Sequence, residues 1–190
     1  MISRTLILFF ALLFSKSISA QKAWVFDDSH SNLQFSVTNL MVAEIEGSMK
    51  ITEALLKVPG NDFSNAMIDI KADVASIDTD NDGRDEHLRS PDFFDSARYP
   101  VLTFKSREFK KIAENKYSAT GDLTFHGITK VVTMDVIANT NVRPYDQKNV
   151  VGFKANGVIK RTDFDIAADT PSAVLGDEVT IRANVIFVQE

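Results

Sequence analysis

The stretch Ile68-Asp69-Ile70-Lys71-Ala72-Asp73-Val74, IDIKADV, alternates strictly between an apolar and a charged side chain. Successive side chains of an extended chain point to opposite faces, whereas a helix repeats about every 3.6 residues, so this run is a strand with one buried and one wet face. The same period recurs outward in both directions. Toward the N-terminus lie Leu33, Phe35 and Val37, then Ile45, Gly47, Met49 and Ile51. Toward the C-terminus come Leu102 and Phe104; Tyr117, Ala119, Leu123 and Phe125; Val132, Met134 and Val136; Val151, Phe153, Ala155 and Ile159; and Val179, Ile181, Ala183, Val185 and Phe187. Turn signals separate them at Pro59-Gly60-Asn61-Asp62, Asn81-Asp82-Gly83, Glu114-Asn115, His126-Gly127, Pro144-Tyr145-Asp146 and Leu175-Gly176-Asp177. Short connections between one-sided strands imply antiparallel pairing, since parallel strands need long crossovers. An all-β barrel or sandwich of eight or nine strands follows. A membrane barrel would carry aromatic girdles at both ends of its strands; here they are missing, and loops with Leu88, Phe93 and Phe94 read as parts that pack inward, so a soluble closed barrel is expected.

Residues 1–20, MISRTLILFFALLFSKSISA, have the layout of a secretory signal peptide: a positive start at Arg4, an apolar run from Thr5 to Phe14, and a small polar run ending at Ala20. The apolar run falls short of the ~20 residues of a spanning helix. Cleavage after Ala20 is expected, leaving residues 21–190 as one exported domain with no transmembrane span. Without Arg4 and Lys16 the 21 basic residues become 19 against 26 acidic ones, a formal charge of -7 in place of -5. That balance disfavours nucleic acid as a partner. Cysteine is absent, which removes disulfides, thiol catalysis and cysteine-bound zinc.

The densest run of polar groups is DTDNDGRDEHLRSPDFFD, residues 78–95. Its first six residues match the start of a calcium-binding loop, but position twelve, where such a loop needs a bidentate glutamate, is Arg89. Asp85, Glu86 and His87 are consecutive and therefore point apart, so they form no acid/base pair. The structural reading pairs Asp85 with Arg89 at i,i+4 and starts a short helix at Ser90-Pro91-Asp92, with Ser90 as N-cap, Pro91 first and Phe93 and Phe94 on its apolar side. Such a helix would lie as a lid at one end of the barrel. His30, His87 and His126 lack the spacing of a metal site, and Asp28-Ser29-His30-Ser31 is too compact for a triad. No nucleophile elbow, phosphate loop or dinucleotide fingerprint occurs, and no catalytic residue, metal ligand or cofactor is expected.

Taken in order, Asp28-Ser29-His30-Ser31 leading into Leu33-Gln34-Phe35-Ser36-Val37, then Leu40-Met41, Glu46-Gly47, Asp78-Thr79, Arg84-Asp85, His87-Leu88-Arg89-Ser90, Asp92-Phe93-Phe94-Asp95, Tyr99-Pro100, Thr120-Gly121-Asp122-Leu123-Thr124 and His126-Gly127-Ile128-Thr129 resemble the YceI family. The resemblance covers nearly all of residues 21–190. It implies an extended eight-stranded antiparallel lipocalin-like barrel with a short helix near one end, periplasmic location, and an apolar interior that holds a polyisoprenoid lipid such as a quinone tail. Two positions depart from the family pattern: Asn39, where histidine is usual before Leu-Met, and Asp165, where glycine usually closes the Arg161-Thr162-Asp163-Phe164 run. A short polar side chain tolerates the left-handed backbone that glycine adopts freely. The resemblance implies a non-enzymatic binder or carrier, with Phe35, Val37, Leu40, Met41, Phe104, Leu123, Phe125, Met134, Phe153 and Ile181 as candidate ligand contacts; the sequence leaves open whether two copies associate as a homodimer. From the stripes alone a core filled by its own side chains reads identically. Two other readings stand beside it: a metal-dependent hydrolase built on the histidines and the acidic loop, and a stress-related exported protein acting through its surface.

Overall fold

The structure, a computed structural model, describes residues 23–60 and 62–190; the expected signal peptide and its cleavage after Ala20 lie outside the described residues. Among these residues eight strands follow one another: β1 (Trp24–Asn39), β2 (Ala43–Lys57), β3 (Met67–Asp78), β4 (Val101–Lys111), β5 (Lys116–Phe125), β6 (Ile128–Val142), β7 (Asn149–Lys160) and β8 (Leu175–Gln189). Each pairs antiparallel with its chain neighbour, and β8 returns to β1, so the sheet closes into a barrel. Among the described residues one α-helix, α1 (Asp82–Arg89), bridges β3 and β4, and a 3₁₀ turn (Arg161–Phe164) follows β7. The fold expected from the alternating stripes and the family resemblance is the one observed.

The inward stripes are continuous only if the strands bend, and they bend at bulges. In β1 the partners jump from Asp27↔Ile186 to Asn32↔Asn184, so residues 28–31 bulge out and the buried parity changes from Trp24 and Phe26 to Leu33, Phe35 and Val37. In β2 Thr52 is the extra residue, and the buried side passes from Met49 and Ile51 to Leu56 and Val58. A bulge leaves ladder groups without partners. Three serines supply the replacement: Ser31 Oγ accepts from Ile186 N (2.9 Å), Ser76 Oγ from Lys50 N (2.8 Å) and Ser106 Oγ from Ile68 N (2.8 Å). Ser31 and Ser76 hydroxyls also donate to the carbonyls of Asp27 and Asp73, both at 2.6 Å. The Asp28-Ser29-His30-Ser31 motif is therefore a bulge clamp, with His30 Nδ1 3.0 Å from the Asp27 carboxylate.

Around the lid the structure corrects the sequence reading. The helix begins at Asp82, not after Ser90: Asn81 is its N-cap and its side chain accepts from Arg84 N. Ser90 is instead the C-cap, held extended (φ -70°, ψ 166°), because the ring of Pro91 disfavours helical backbone in the residue before it. Phe93 and Phe94 follow in tight turns, with Phe94 N donating to Leu88 O. Asp85 and Arg89 do not pair. Asp85 turns back to accept from Thr79 N and Oγ1, while Arg89 donates to the carbonyls of Ala75 and Ile77, so both tie α1 to the end of β3. Asn81-Asp82-Gly83 is thus a helix start. Leu175-Gly176-Asp177 is no turn either, since Leu175 already pairs with Asn39 and the reversal is completed at Pro171–Val174.

The two ends of the barrel differ. At the end carrying the β2–β3 and β4–β5 connections, Phe63 packs edge-on to Phe153 (5.2 Å between centroids), Phe153 to Phe109 (5.8 Å), and Phe109 stacks on Tyr117 (5.0 Å). This aromatic floor closes the interior below. Replacing Ser31 or Ser106 by alanine is expected to lower stability by about 1–2 kcal/mol, since each leaves a partly buried amide of the neighbouring strand unpaired. Equilibrium urea unfolding checks this, as a lower midpoint at unchanged slope.

Candidate functional site

Above the aromatic floor the interior is not filled. A cavity of about 290 Å³ lies at the α1 end, walled by Leu33 and Val37 of β1, Ile45 and Met49 of β2, Leu102 of β4, Phe125 of β5, Ile159 of β7 and Val179 and Ile181 of β8. Leu88, Phe93 and Phe94 roof it from one side, and Ile166, Thr170 and Val174 from the other. A second space of about 70 Å³ lies below, among Ile68, Ile70, Phe104, Leu123, Val132, Met134, Phe153 and Val185. Leu33, Leu102 and Ile181 line both, so these three form the waist between two stacked apolar chambers.

The expected contacts fall into four sets. Phe35, Val37 and Phe125 line the upper chamber; Phe104, Leu123, Met134 and Phe153 line the lower; Ile181 lines both. Leu40 and Met41 line neither, and their placement inside the barrel is corrected. They are the central residues of a turn closed by Val42 N donating to Asn39 O, and they are 57% and 73% exposed. The chain leaves the sheet after Asn39, so the inward parity of β1 ends there. Leu33 and Leu102 belong to the inward stripes but were not among the expected contacts; a stripe shows which face is inward and not which of its residues border empty space.

Glycines explain why the lumen stays open where the largest side chains sit. Phe35 lies flat across Gly47 of the paired strand: a Cβ there would stand 2.6 Å from the Phe35 ring and 2.7 Å from Thr79 Cγ2. Phe104 lies likewise over Gly121, where a Cβ would be 2.7 Å from its ring, and the Met134 sulfur over Gly157. All three glycines occupy inward positions of their strands. Each lets a bulky neighbour lie along the wall instead of across the channel.

The roof is organised by two arginines, which an apolar stripe cannot reveal. Arg161 is 3% exposed, and its guanidinium donates to the carbonyls of Gly176 (3.1 Å), Ile166 (3.0 Å), Thr170 (2.5 Å), Leu175 (3.1 Å) and Ala167. A buried cation is tolerated when its donors are satisfied, and here three acceptors come from the loop between the 3₁₀ turn and β8 and two from the first residues of β8, so Arg161 fastens the loop to the strand. Asp165 ends the 3₁₀ turn in left-handed backbone (φ 56°, ψ 32°), the conformation that the departure from glycine left to a short polar side chain. The Thr162 hydroxyl (2.7 Å) and amide donate to Asp177 and hold its carboxyl below the usual carboxylate range. On the other side Arg84 donates to Thr79 Oγ1 (2.7 Å) and Thr79 O (2.6 Å) and also borders the cavity. Asn39, His87 and Thr170 add polar atoms at the same rim.

The histidines are engaged separately. His30 sits in the β1 bulge, His87 stacks edge-on to Phe93 at 4.8 Å, and His126 Nδ1 meets Phe164 O at 3.0 Å while packing on Tyr99. Among the described residues no group of three or more histidine, aspartate or glutamate side chains is arranged to hold a metal ion.

The fold and the site define a lipocalin-like barrel whose axis is an apolar cavity capped by a helix and a loop. The chain belongs to the YceI family: the YceI-like domain matches residues 24–187. It is 36% identical over 169 residues to a UPF0312 protein of Staphylococcus aureus, covering 86% of this chain and 96% of that one. Among solved structures it is similar to Burkholderia cenocepacia BcnA, with a TM-score of 0.75, 26% identity, and coverage of 85% and 99% of the two chains. A polyisoprenoid binding domain from Saccharophagus degradans implicated in plant cell wall breakdown shares the fold, with a TM-score of 0.64 at 14% identity over 90% of this chain and all of that one.

Gly47→Ala is expected to displace the Phe35 ring or the Thr79 methyl and to destabilise the barrel by about 1–3 kcal/mol, the usual cost of overpacking. A crystal structure of the variant checks the displacement, and thermal unfolding checks the loss.

Proposed function

We propose that the protein is an exported, non-enzymatic binder or carrier of an apolar lipid of polyisoprenoid type, held in the two stacked chambers. The observation that carries this reading is the upper cavity of about 290 Å³, walled by aliphatic and aromatic side chains of β1, β2, β4, β5, β7 and β8 inside a closed barrel. Membership of the YceI family supports it, as does the polyisoprenoid binding domain that shares the fold. The signal-like layout of residues 1–20 supports export, and for the bacterial family the periplasm is the compartment that fits.

Burial supplies the affinity. At ~0.8 kcal/mol per CH₂, each five-carbon unit contributes roughly 3–4 kcal/mol before the ordering of the chain is subtracted. The chambers also limit the length that is enclosed. An apolar cavity of ~150 Å³ holds one benzene, so spaces of about 290 and 70 Å³ match about twelve to fourteen carbons, or two to three isoprenoid units. The floor of Phe63, Phe109 and Phe153 stops the chain below. A longer tail therefore leaves through the roof end, where Arg84, His87, Asn39 and Thr170 offer hydrogen bonds to a polar head or to water.

A prenol series tests the proposal. In native mass spectrometry geraniol, farnesol and geranylgeraniol, with two, three and four units, are expected to bind one per barrel, affinity rising from two units to three and little from three to four. Narrowing the waist with Ile181→Phe, in a variant whose circular dichroism shows it folded, is expected to weaken farnesol binding about tenfold or more. No binding of any of the three would overturn the lipid reading and favour a protein that acts through its surface.

A further inference from the structure

We infer that the β1–β2 tip, Leu40-Met41-Val42, is a bilayer-docking element that seats the mouth of the cavity on a zwitterionic lipid surface. The inference rests on the lipid reading above and adds where the ligand enters.

Three observations lead to it. First, the tip concentrates exposed apolar surface: Leu40 and Met41 are joined by Val42, 87% exposed. Second, folding does not account for these residues. Leu40 and Met41 both have positive φ, 51° and 59°, in a three-residue loop between the paired Asn39 and Ala43, and Val42 N donates to Asn39 O across them. Two successive positive φ angles favour Asn-Gly or Asp-Gly, because left-handed backbone strains a large side chain. Leu-Met works against the turn and adds no core contact in return. Third, the tip is continuous with the cavity: Leu40 N donates to Val174 O at 2.8 Å, Val174 is itself 45% exposed, and both Val174 and Asn39 line the upper chamber.

The chemistry selects the surface. Large aliphatic side chains beside the opening of a lipid cavity gain by entering the acyl boundary of a membrane, and a water-insoluble ligand then passes into the barrel without crossing water. Charge decides which membrane. From Val37 to Glu46 there is no lysine or arginine, while Glu44 and Glu46 flank the tip and Asp169 belongs to the loop that ends at Val174. Arg182 approaches Glu46 to 3.8 Å, Glu44 is exposed, and the guanidinium groups nearest the mouth, those of Arg84 and Arg161, donate to protein acceptors, so the charge around the tip disfavours an anionic surface.

The test uses the exported protein and the triple variant L40N/M41G/V42T, which gives the turn its preferred residues and so folds. Phosphatidylcholine vesicles carrying farnesol are floated with each protein and the rate of farnesol transfer is measured. Wild type is expected to float with the vesicles and to take up farnesol at a rate that rises with vesicle concentration. The variant is expected to melt at higher temperature, to keep its affinity for farnesol added from ethanol, and to lose about tenfold or more in flotation and transfer. Adding phosphatidylglycerol is expected to weaken wild-type flotation at low salt. Equal flotation and transfer by the two proteins, flotation on anionic vesicles alone, or a tip that merely joins two copies, seen as a dimer that the variant loses with transfer unchanged, each overturns the inference. If neither protein binds farnesol yet only wild type floats, docking stands and the cavity reading falls.

Discussion

Closing eight strands into one barrel sets the interior to a width that its own side chains can fill or that one slender ligand can occupy. Everything else in this molecule follows from how the inward positions meet that width. At the floor, Phe63, Phe109, Phe153 and Tyr117 fill it. Higher up, glycines opposite Phe35, Phe104 and Met134 let those side chains lie against the wall, and the axis stays open. The closure itself depends on bulges in β1, β2, β3 and β4, and at those of β1, β3 and β4 a serine hydroxyl takes the place of the missing ladder acceptor. A barrel without those hydroxyls would carry unpaired amides at the very points where its strands must bend.

The roof obeys different physics. Its residues cannot rely on ladder bonds, because the segment from Asp165 to Val174 runs outside the sheet. One buried guanidinium, that of Arg161, gathers five carbonyls and gives the segment a fixed shape over an apolar space. On the opposite side Thr79, Arg84 and Asp85 form a compact network that fixes α1 on β3. His126 joins the β5–β6 turn to the 3₁₀ turn through Phe164 O. Polar groups so placed hold the lid by directing their donors to protein acceptors, and Arg84 and Arg161 border the chamber at its rim. The acidic loop that first suggests a calcium site is mostly this scaffolding: Asn81 caps α1, Asp85 holds Thr79, and Asp78 accepts from Asp80 N.

Strands were legible in the sequence wherever one parity persisted, as in IDIKADV, because alternation is a property of each residue by itself. Parity changes were not legible. Thr52 and residues 28–31 shift the buried face, and nothing in a polar side chain announces that it has become the extra residue of a bulge. The helix was misplaced because Ser-Pro-Asp carries a strong start signal and Asn81-Asp82 reads equally as a turn; the backbone restriction that Pro91 imposes on Ser90 decided against the later start. Most of the expected contacts could be placed on an inward face. Leu40 and Met41 could not, since their apolarity says nothing about the point at which β1 leaves the sheet. Arg84 and Arg161 were visible only as parts of the family pattern, because a buried arginine looks like any surface arginine until its carbonyl partners are known.

The central claim is that the barrel encloses two apolar spaces that a ligand can fill. Xenon, which enters apolar cavities and has no other affinity for the protein, reads this directly in a crystal pressurised with the gas. Xenon peaks in the upper chamber near Leu33, Leu102 and Ile181, with a weaker one among Phe104, Leu123 and Met134, are the expected result. A crystal with no xenon in the ligand-free barrel, its interior filled by the protein's own side chains, would contradict the claim.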